Sequence, residues 1–249
     1  MKRSKTGIEG FDKLVRGGFP EGTNILITGT PGTAKTIFCL EYIYNGAIKF
    51  KEKGLFVSFE MKRKDILSQA SQFGWDLAKL EKQGLIEIMD IPVRQINKDT
   101  VKNILNRVKD NKMDRLVIDS LSTLSITAPM YDAIHDLFLR DLITKESVFS
   151  PPISGDFILK RFIYHLMEEL SEIRTTTLLI SEIPEEEGTM SRDTVSEFLA
   201  DGIIKMSFES MGGEYSRSLI VRKMRQTKNN EDIHPVEISK RGIIIHNIG

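Results

Sequence analysis

The segment 29–36, GTPGTAKT, has the residue types and the spacing of a loop that binds phosphate. In such a loop, successive backbone N–H groups and the N-terminus of the following helix converge on an anion. A lysine reaches the outer phosphates and a threonine hydroxyl coordinates Mg²⁺, and Lys35 and Thr36 stand at those two positions. Ala34 stands where a glycine often precedes the lysine. Its methyl group is tolerated if its φ is negative.

Three acidic residues follow apolar segments elsewhere in the chain. A site that hydrolyses a nucleotide needs a carboxylate on the metal side and a residue that orients water. Asp119 ends the segment 115–119 and could hold Mg²⁺ through water, whereas Glu60 follows the segment 54–59 and could orient the attacking water. For Glu60 the alternative is a cap on the next helix. Glu182 ends a third apolar segment, where a polar residue could sense the γ-phosphate.

Apolar, strand-like segments alternate with helical ones over most of the chain, which is typical of a parallel sheet covered on both faces. We predict five buried strands, at 24–29, 54–59, 85–90, 115–119 and 177–182. Apolar residues at helical spacing predict helices over 35–48, around 101–108 and over 162–173. In an open parallel sheet, ligands bind at the carboxyl ends of the strands. The loop and the acidic residues would therefore face one crevice.

The chain changes character after residue 200. Short strand-like segments are separated there by turn signals such as Gly212-Gly213, and they lie at 202–208, 218–224, 235–239 and 242–246. This pattern predicts antiparallel hairpins added to the parallel sheet. The segment 127–156, bracketed by prolines, is expected to be an insertion that contains a helix and a long loop. We therefore predict one α/β domain over residues 1–249.

Composition narrows the class of protein without selecting a function. The 249 residues, 40% of them hydrophobic, suit one large domain with a sizeable core. Lys plus Arg equals Asp plus Glu at 35 each, so bulk charge gives no attraction to nucleic acid or to an anionic membrane. The one cysteine, Cys39, excludes a disulfide framework and a cysteine-rich metal site. No apolar run is long enough to cross a membrane and no signal segment is evident, so we expect a cytoplasmic protein.

Further motifs extend the pattern over nearly the whole chain. In order, the motifs are TGIEGFDKLVRGGFPEG at 6–22, GTPGTAKT, Glu60 at its strand end, LVIDS at 116–120, FLADGIIKM at 198–206 and SLIVRKMRQT at 218–227. With these motifs the chain resembles a single-domain RecA-like ATPase of the KaiC group, close to the archaeal RadA paralogues, in which a KMRQT-type segment also occurs. The resemblance implies a RecA-like P-loop NTPase fold that binds ATP and Mg²⁺ between the subunits of a homo-oligomeric ring or filament.

The resemblance also implies a role for each matching position. ATP would be held by the loop residues Gly29, Thr30, Pro31, Gly32, Thr33, Ala34, Lys35, Thr36 and Ile37. Thr36 and Asp119 would hold Mg²⁺. Lys35 would act catalytically on the phosphates, and Glu60 would activate water. Lys223 and Arg225 would form the basic pair that reaches the ATP of the neighbouring subunit.

At some positions the sequence departs from the family pattern, and there the family's properties are not assigned to this chain. Met61 follows Glu60 where KaiC proteins usually have a second acidic residue, so we expect slow hydrolysis. The residues 226–229 read Gln-Thr-Lys-Asn where KaiC has Gly-Thr-Ser-His, so the nucleotide contacts of that turn are not carried over. The resemblance accounts for one ATPase domain, so we expect neither a second domain in tandem nor the clock protein's phosphorylation sites, which that domain bears. We therefore infer no clock function.

Two classes of function remain open. In the first, the chain is an ATPase whose nucleotide switches an oligomer. In the second, it is a recombination or DNA-repair modulator that binds single-stranded DNA weakly, or a recombinase partner, and uses ATP to hold its assembly. The segment 184–197 carries five acidic residues and one arginine, a net charge of −4 that should repel phosphates. The basic runs Lys2-Arg3-Lys5 and Lys62-Arg63-Lys64 are more typical of solvated surfaces. These residues favour the first class.

Overall fold

Nine strands form one central sheet in the computed structural model, which describes residues 1–127, 155–183, 191, 193–211 and 214–247. The strands are β3 (Asn24–Gly29), β4 (Gly54–Ser58), β5 (Ile86–Asp90), β6 (Arg115–Asp119), β7 (Thr176–Glu182), β8 (Gly202–Met211), β9 (Glu214–Met224), β10 (His234–Ser239) and β11 (Gly242–Ile245). Their order across the sheet is β11-β10-β9-β8-β3-β7-β6-β4-β5. Two short strands, β1 (Arg3–Ser4) and β2 (Phe19–Pro20), pair with each other outside it.

Six neighbouring strands, from β8 across to β5, run parallel. Most of their residues are buried on both faces of the sheet, which is why they read in the sequence as continuous apolar runs. The strands β9, β10 and β11 are each antiparallel to the strand before them. The prediction of a mainly parallel sheet with C-terminal antiparallel hairpins is confirmed.

Helices cover both faces of the sheet. They are α1 (Phe11–Leu14), α2 (Lys35–Asn45), α3 (Arg63–Ser71), α4 (Leu77–Lys82), α5 (Thr100–Asn111), α6 (Leu121–Thr127), α7 (Gly155–Ile173) and α8 (Ser196–Leu199). A π-helical turn over Gly46–Phe50 continues α2. Phe38 and Leu80 belong to the buried cluster under α2, α3 and α4, while Ile104 and Leu166 belong to the cluster under α5, α6 and α7. The result is a sheet between two helical layers.

The predicted strands are all present. Their bounds differ most from the prediction at β9, which begins at Glu214 and not at residue 218. The helix α7 begins at Gly155, inside the segment 127–156 that was expected to be an insertion. Residues 128–154 and the predicted turn at Gly212-Gly213 lie outside the described residues.

Arg115 opens β6 with a guanidinium group that is fully buried. This group donates to the backbone oxygens of Tyr42 at 2.6 Å and Lys5 at 2.7 Å, and it pairs with the carboxylate of Glu52 at 2.6 Å. It also lies over the Tyr42 ring, 4.2 Å from the ring centre. A buried charge is costly unless it is paired and hydrogen-bonded, as this one is. The contacts tie the N-terminal segment to α2, the helix that follows the loop.

Glu41 joins α2 to β11, the strand at the edge of the sheet. The side chain is buried, and Oε2 accepts a hydrogen bond from the N–H of Ile243 at 2.7 Å. The amide of Asn45 donates to Oε1 at 3.5 Å. Burial raises the pKa of Glu41 to about 7, because these hydrogen bonds offset only part of the cost of removing the carboxylate from water. A fraction of Glu41 is therefore a neutral acid near neutral pH.

Candidate functional site

The loop 30–34 joins β3 to α2 at the carboxyl edge of the parallel strands. Gly29 ends β3 at a point where a side chain would not fit, because a Cβ there would lie 2.1 Å from the carbonyl oxygen of Met206 on β8. Gly32 has a φ of +81°, in the left-handed region that favours glycine. The loop therefore leaves its strand tightly and turns directly into the helix, as a phosphate-binding loop requires.

Ala34, the residue before the lysine, does not have the negative φ that would leave its methyl group unstrained. Its φ is +79° and its ψ is +21°, so a residue with a Cβ occupies the left-handed conformation. That conformation costs an L-residue about 1 kcal/mol or more. The loop is therefore strained at the N-cap position of α2.

Lys35 opens α2 with its ammonium group folded into the loop. Nζ donates to the carbonyl oxygens of Gly29 and Thr30, each at 2.8 Å. Burial lowers the pKa of Lys35, and the carboxylates of Glu182 and Asp119 oppose that shift. A cation held inside the loop is the charge that a phosphate group needs for binding.

Thr36 and Asp119, the predicted ligands of Mg²⁺, lie in contact. The Thr36 hydroxyl donates to Oδ2 of Asp119 at 2.9 Å, and Asp119 is buried at the end of β6. Burial, followed by the charge of Glu60, raises the pKa of Asp119 to about 7. Mg²⁺ takes hard oxygen ligands of this kind, and a cation would stabilise the ionised form of a carboxylate that is buried here. The residues fit the ion.

Glu60 follows β4 and lies at the same edge of the sheet. Its Oε1 accepts hydrogen bonds from the hydroxyl groups of Ser120, at 2.6 Å, and Thr123, at 2.9 Å. The next helix, α3, begins only at Arg63, and the alternative role of a helix cap has no support in these contacts. The carboxylate is instead held at the crevice by these two hydroxyl groups, and its role in orienting an attacking water stays a prediction.

Ser120 and Thr123 are residues that the sequence did not single out. They follow Asp119 at the start of α6, and the run Ser-Leu-Ser-Thr directly after a strand-end aspartate is the signal that could have found them. Their contact with Glu60 depends on β4 and β6 being neighbours in the sheet, with Ser58 opposite Asp119. The chain order does not show that pairing, because β5 lies between the two strands in sequence.

Glu182 ends β7 beside the loop, directly opposite Gly29 in the register of the two strands. Burial has the largest effect on the pKa of Lys35 and lowers it, and the negative charge of Glu182 has the next largest effect and raises it. Its backbone N–H donates to the hydroxyl of Ser122 at 2.9 Å. The third predicted strand end therefore faces the same crevice, while a role in sensing the γ-phosphate stays a prediction.

Lys223 and Arg225 lie toward the end of the sheet at which the parallel strands begin, whereas the loop lies where those strands end. Because β9 is antiparallel to β8, its last residue, Met224, lies opposite Gly202, the first residue of β8, and Lys223 lies opposite Ile203. Nζ of Lys223 donates to the carbonyl oxygens of Glu197 at 3.2 Å and Phe198 at 3.1 Å. Arg225 donates to the same Phe198 oxygen at 3.2 Å and to Oδ1 of Asp201 at 3.2 Å. The two cations lie together, but the structure does not bring them to the loop of their own chain.

Arg217 is a further contact of the loop that the sequence did not indicate. Its Nε donates to the carbonyl oxygen of Gly32 at 3.1 Å, and its guanidinium lies 4.9 Å from the centre of the Phe208 ring. The same ring lies 3.5 Å from the position that a Cβ on Gly32 would take. The strands β8 and β9 therefore support the loop from one side.

The charged segments that were weighed for nucleic-acid binding are described only in part. In the basic runs, Lys2 pairs with Glu21 at 2.9 Å, and Arg63 pairs with Glu81. Most of the acidic segment 184–197 lies outside the described residues. In the part of the chain that the structure describes, no helix is long and apolar enough to cross a membrane.

Comparison with known proteins gives matches over nearly the whole chain. A family model described as "ATPase: KaiC" matches residues 4–144 and 152–249. A UPF0273 protein of Methanocaldococcus jannaschii is 35% identical over 246 residues, which are 99% of this chain and 97% of that protein. The circadian clock oscillator protein KaiC of Synechococcus elongatus is 31% identical over 258 residues, which cover 100% of this chain and 45% of the clock protein. The chain therefore spans about half of the clock protein's length.

The same fold is present in a solved structure. The crystal structure of a KaiC-like protein from the archaeon Pyrococcus horikoshii matches with a TM-score of 0.80 and 34% sequence identity. The match covers 99% of each chain. It confirms the predicted fold class, a RecA-like P-loop core with added antiparallel strands.

Proposed function

The chain belongs to the KaiC family of ATPases, and from this premise we propose that it binds ATP with Mg²⁺, hydrolyses it slowly and acts as an oligomeric switch. We propose a single ATPase domain over residues 1–249. The observation that carries the proposal is the meeting of Lys35, Thr36, Asp119 and Glu60 at one edge of the parallel sheet.

Each of these residues has a distinct part in the transfer of a phosphoryl group to water. The loop N–H groups and the ammonium of Lys35 would hold the phosphates in line for attack. Thr36 and Asp119 would hold Mg²⁺, which when bound neutralises charge on the phosphate oxygens. Glu60, held by two hydroxyl groups, would orient the attacking water and accept its proton.

We propose that hydrolysis is slow because one carboxylate stands at the end of β4. Met61, the residue after Glu60, packs against the apolar cluster on the α2 side of the sheet. Glu60 would therefore orient the water without the adjacent acidic residue usual in KaiC proteins. A turnover rate below about 1 s⁻¹, under the usual range of enzymes, is consistent with this arrangement.

The position of Lys223 and Arg225 supports an active site shared between subunits. Arg225 lies beside Asp201, which is hydrogen-bonded to Asn24, the first residue of β3, and the six residues of β3 lie between that point and the loop. Six residues of strand span about 20 Å, which is further than an arginine side chain reaches. Arg225 could therefore act on ATP only in a second copy of the chain, and we propose that Lys223, which binds the same Phe198 oxygen, acts with it. Self-association into a ring or filament is part of the proposal.

The second class of function, modulation of recombination or DNA repair, has less support. The relatives named above are described as UPF0273, KaiC and KaiC-like proteins, and none of these descriptions mentions DNA or a recombinase. The acidic segment 184–197 should repel the phosphates of DNA. The closer relation to archaeal RadA paralogues and weak binding of single-stranded DNA stay predictions.

Binding of Mg·ATP to the Lys35→Ala variant tests the proposed function. We expect the variant to lose measurable binding in titration calorimetry, because the buried ammonium supplies the positive charge of the loop. Lys64→Ala removes an exposed lysine on α3 and is the matched control, which should bind as the wild type does. Thermal melting of both variants checks that they fold. Equal affinity for ATP in a folded Lys35→Ala variant would show that the segment 29–36 is only a turn.

The size of the assembly is measured on the same protein with and without Mg·ATP. Light scattering should show an oligomer in the presence of Mg·ATP. A monomer that releases phosphate at a specific rate independent of protein concentration would refute the shared active site.

A further inference from the structure

Asp201 lies between α8 and β8, where it is bonded twice to the first residue of β3. Its backbone N–H donates to the carbonyl oxygen of Asn24 at 2.8 Å. Its Oδ2 accepts a hydrogen bond from the N–H of Asn24 at 3.0 Å. Asp201 is therefore fixed against the sheet by both its backbone and its side chain.

The same residue holds Arg225 in two ways. The carbonyl oxygen of Asp201 accepts a hydrogen bond from the backbone N–H of Arg225 at 2.7 Å. Its Oδ1 accepts one from the guanidinium at 3.2 Å, while the other amino group of Arg225 donates to the Phe198 oxygen. The guanidinium therefore donates to two acceptors, the Asp201 carboxylate and the Phe198 carbonyl oxygen. About half of the Arg225 side chain remains exposed to solvent.

An arginine side chain has several rotatable bonds, and ordering it at the moment of reaction costs about 2 kcal/mol. A fixed carboxylate reduces that cost because it restricts the guanidinium before the nucleotide of a neighbour arrives. A planar guanidinium is well suited to this arrangement, since one edge can bind a carboxylate while other N–H groups remain for a phosphate.

We propose that Asp201 is a positioning residue that orients the guanidinium of Arg225 toward the ATP bound by a neighbouring subunit. This inference rests on the proposed function, in which Arg225 acts across the interface between subunits. Asp201 acts through Arg225 and does not touch the nucleotide. The alternative is that Asp201 supports only its own subunit's loop, through Asn24 and β3.

Asp201→Asn is the variant that tests the inference. Asparagine keeps the shape of the side chain and can still accept the hydrogen bond from Asn24, but it removes the charge that holds the guanidinium. We expect phosphate release at saturating Mg·ATP to fall at least about tenfold, because misplacing a catalytic group by about 1 Å can lower the rate by up to about a hundredfold. Glu87→Gln, which removes from β5, at the other edge of the sheet, the carboxylate partner of Arg107, is the control and should keep full activity.

Mixed oligomers then separate action on the neighbour from action within the subunit. A mixture of Asp201→Asn with Glu60→Gln should recover activity, since the Glu60→Gln subunit supplies a well-oriented Arg225 to a site with an intact Glu60. A mixture of Asp201→Asn with Arg225→Ala should not recover, because neither subunit supplies a well-oriented Arg225. If Asp201→Asn melts at a much lower temperature, Asp201→Glu, which keeps the charge and displaces it by one methylene, takes its place in the same mixtures.

The same mixtures distinguish failure of the inference from failure of the proposed function. If Arg225→Ala mixed with Glu60→Gln recovers activity and Asp201→Asn mixed with Glu60→Gln does not, Asp201 acts on its own site and the inference is wrong. Full activity of Asp201→Asn alone also overturns it. If Arg225→Ala mixed with Glu60→Gln stays inactive although the two co-assemble, the shared active site itself is wrong and the inference is lost with it.

Discussion

Replacing Glu41 by glutamine removes a carboxyl group that burial makes costly to ionise. The pKa of Glu41 is raised from 4.5 to about 7 in the folded chain, chiefly by burial. A group whose folded pKa lies above its unfolded value contributes stability that is fully present below the unfolded pKa and is lost as the pH rises through the folded pKa. Glu41 should therefore lower the stability of the folded chain as the pH rises from 4.5 to about 7.

The size of this effect follows from the distance between the two pKa values. A displacement from 4.5 to about 7, at about 1.4 kcal/mol per pH unit, gives about 3 kcal/mol as an upper bound. Glutamine has nearly the same shape, and its amide oxygen can accept the hydrogen bond from the N–H of Ile243. We therefore expect Glu41→Gln to be about 2 kcal/mol more stable than the wild type at pH 8.5 and equally stable near pH 4.5.

Urea unfolding at pH 4.5, 6 and 8.5 measures the free energy of unfolding of both proteins. Other groups that titrate in this range, such as Asp119, contribute equally to both, so they cancel in the difference. Glu21→Gln, which removes a carboxylate of a surface ion pair, is the control and should differ from the wild type by less than about 1 kcal/mol at every pH. Parallel curves of stability against pH for Glu41→Gln and the wild type would refute the reasoning.

Three further outcomes can be measured. Ala34→Gly should raise the free energy of unfolding by about 0.5 kcal/mol, because relief of the left-handed strain exceeds the extra freedom of glycine in the unfolded chain, while ATP affinity stays within a few fold. A less stable variant in thermal or urea unfolding would contradict this. Glu60→Gln should retain Mg·ATP in calorimetry and lose most phosphate release, and unchanged turnover would exclude Glu60 as the group that orients water. Binding of single-stranded DNA, followed by fluorescence anisotropy, should be weak and should fall steeply with salt, and tight binding near physiological salt would favour the second class of function.

The positions of the main site residues could be predicted because they depend on simple rules of the parallel sheet. Asp119 and Glu60 each follow a run of buried residues, and the carboxyl ends of parallel strands meet at one edge. Lys35 and Thr36 follow from the spacing of the loop alone. No knowledge of the order of strands across the sheet was needed for any of these placements.

The remaining features depend on contacts between parts of the chain that are distant in sequence. The hydrogen bonds of Ser120 and Thr123 to Glu60 require β6 beside β4, and the bond of Asp201 to Arg225 requires the register of β8 on β9. Ala34 has a positive φ, which a residue with a Cβ disfavours. The residue type alone therefore favours a negative φ. Local pattern does not carry such information.

The burial of Arg115 could not be predicted from the sequence either, since arginine is rarely buried in full. Its guanidinium fills the space beside Gly46, where a Cβ would lie 2.4 Å from the Nε of Arg115 and 2.6 Å from its Cδ. A side chain at position 46 is therefore compatible only with a shorter residue at position 115. Loss of Arg115 alone would in turn leave the Glu52 carboxylate without this partner. Among relatives that keep this packing, a residue larger than glycine at position 46 should accordingly occur only together with a shorter residue at position 115.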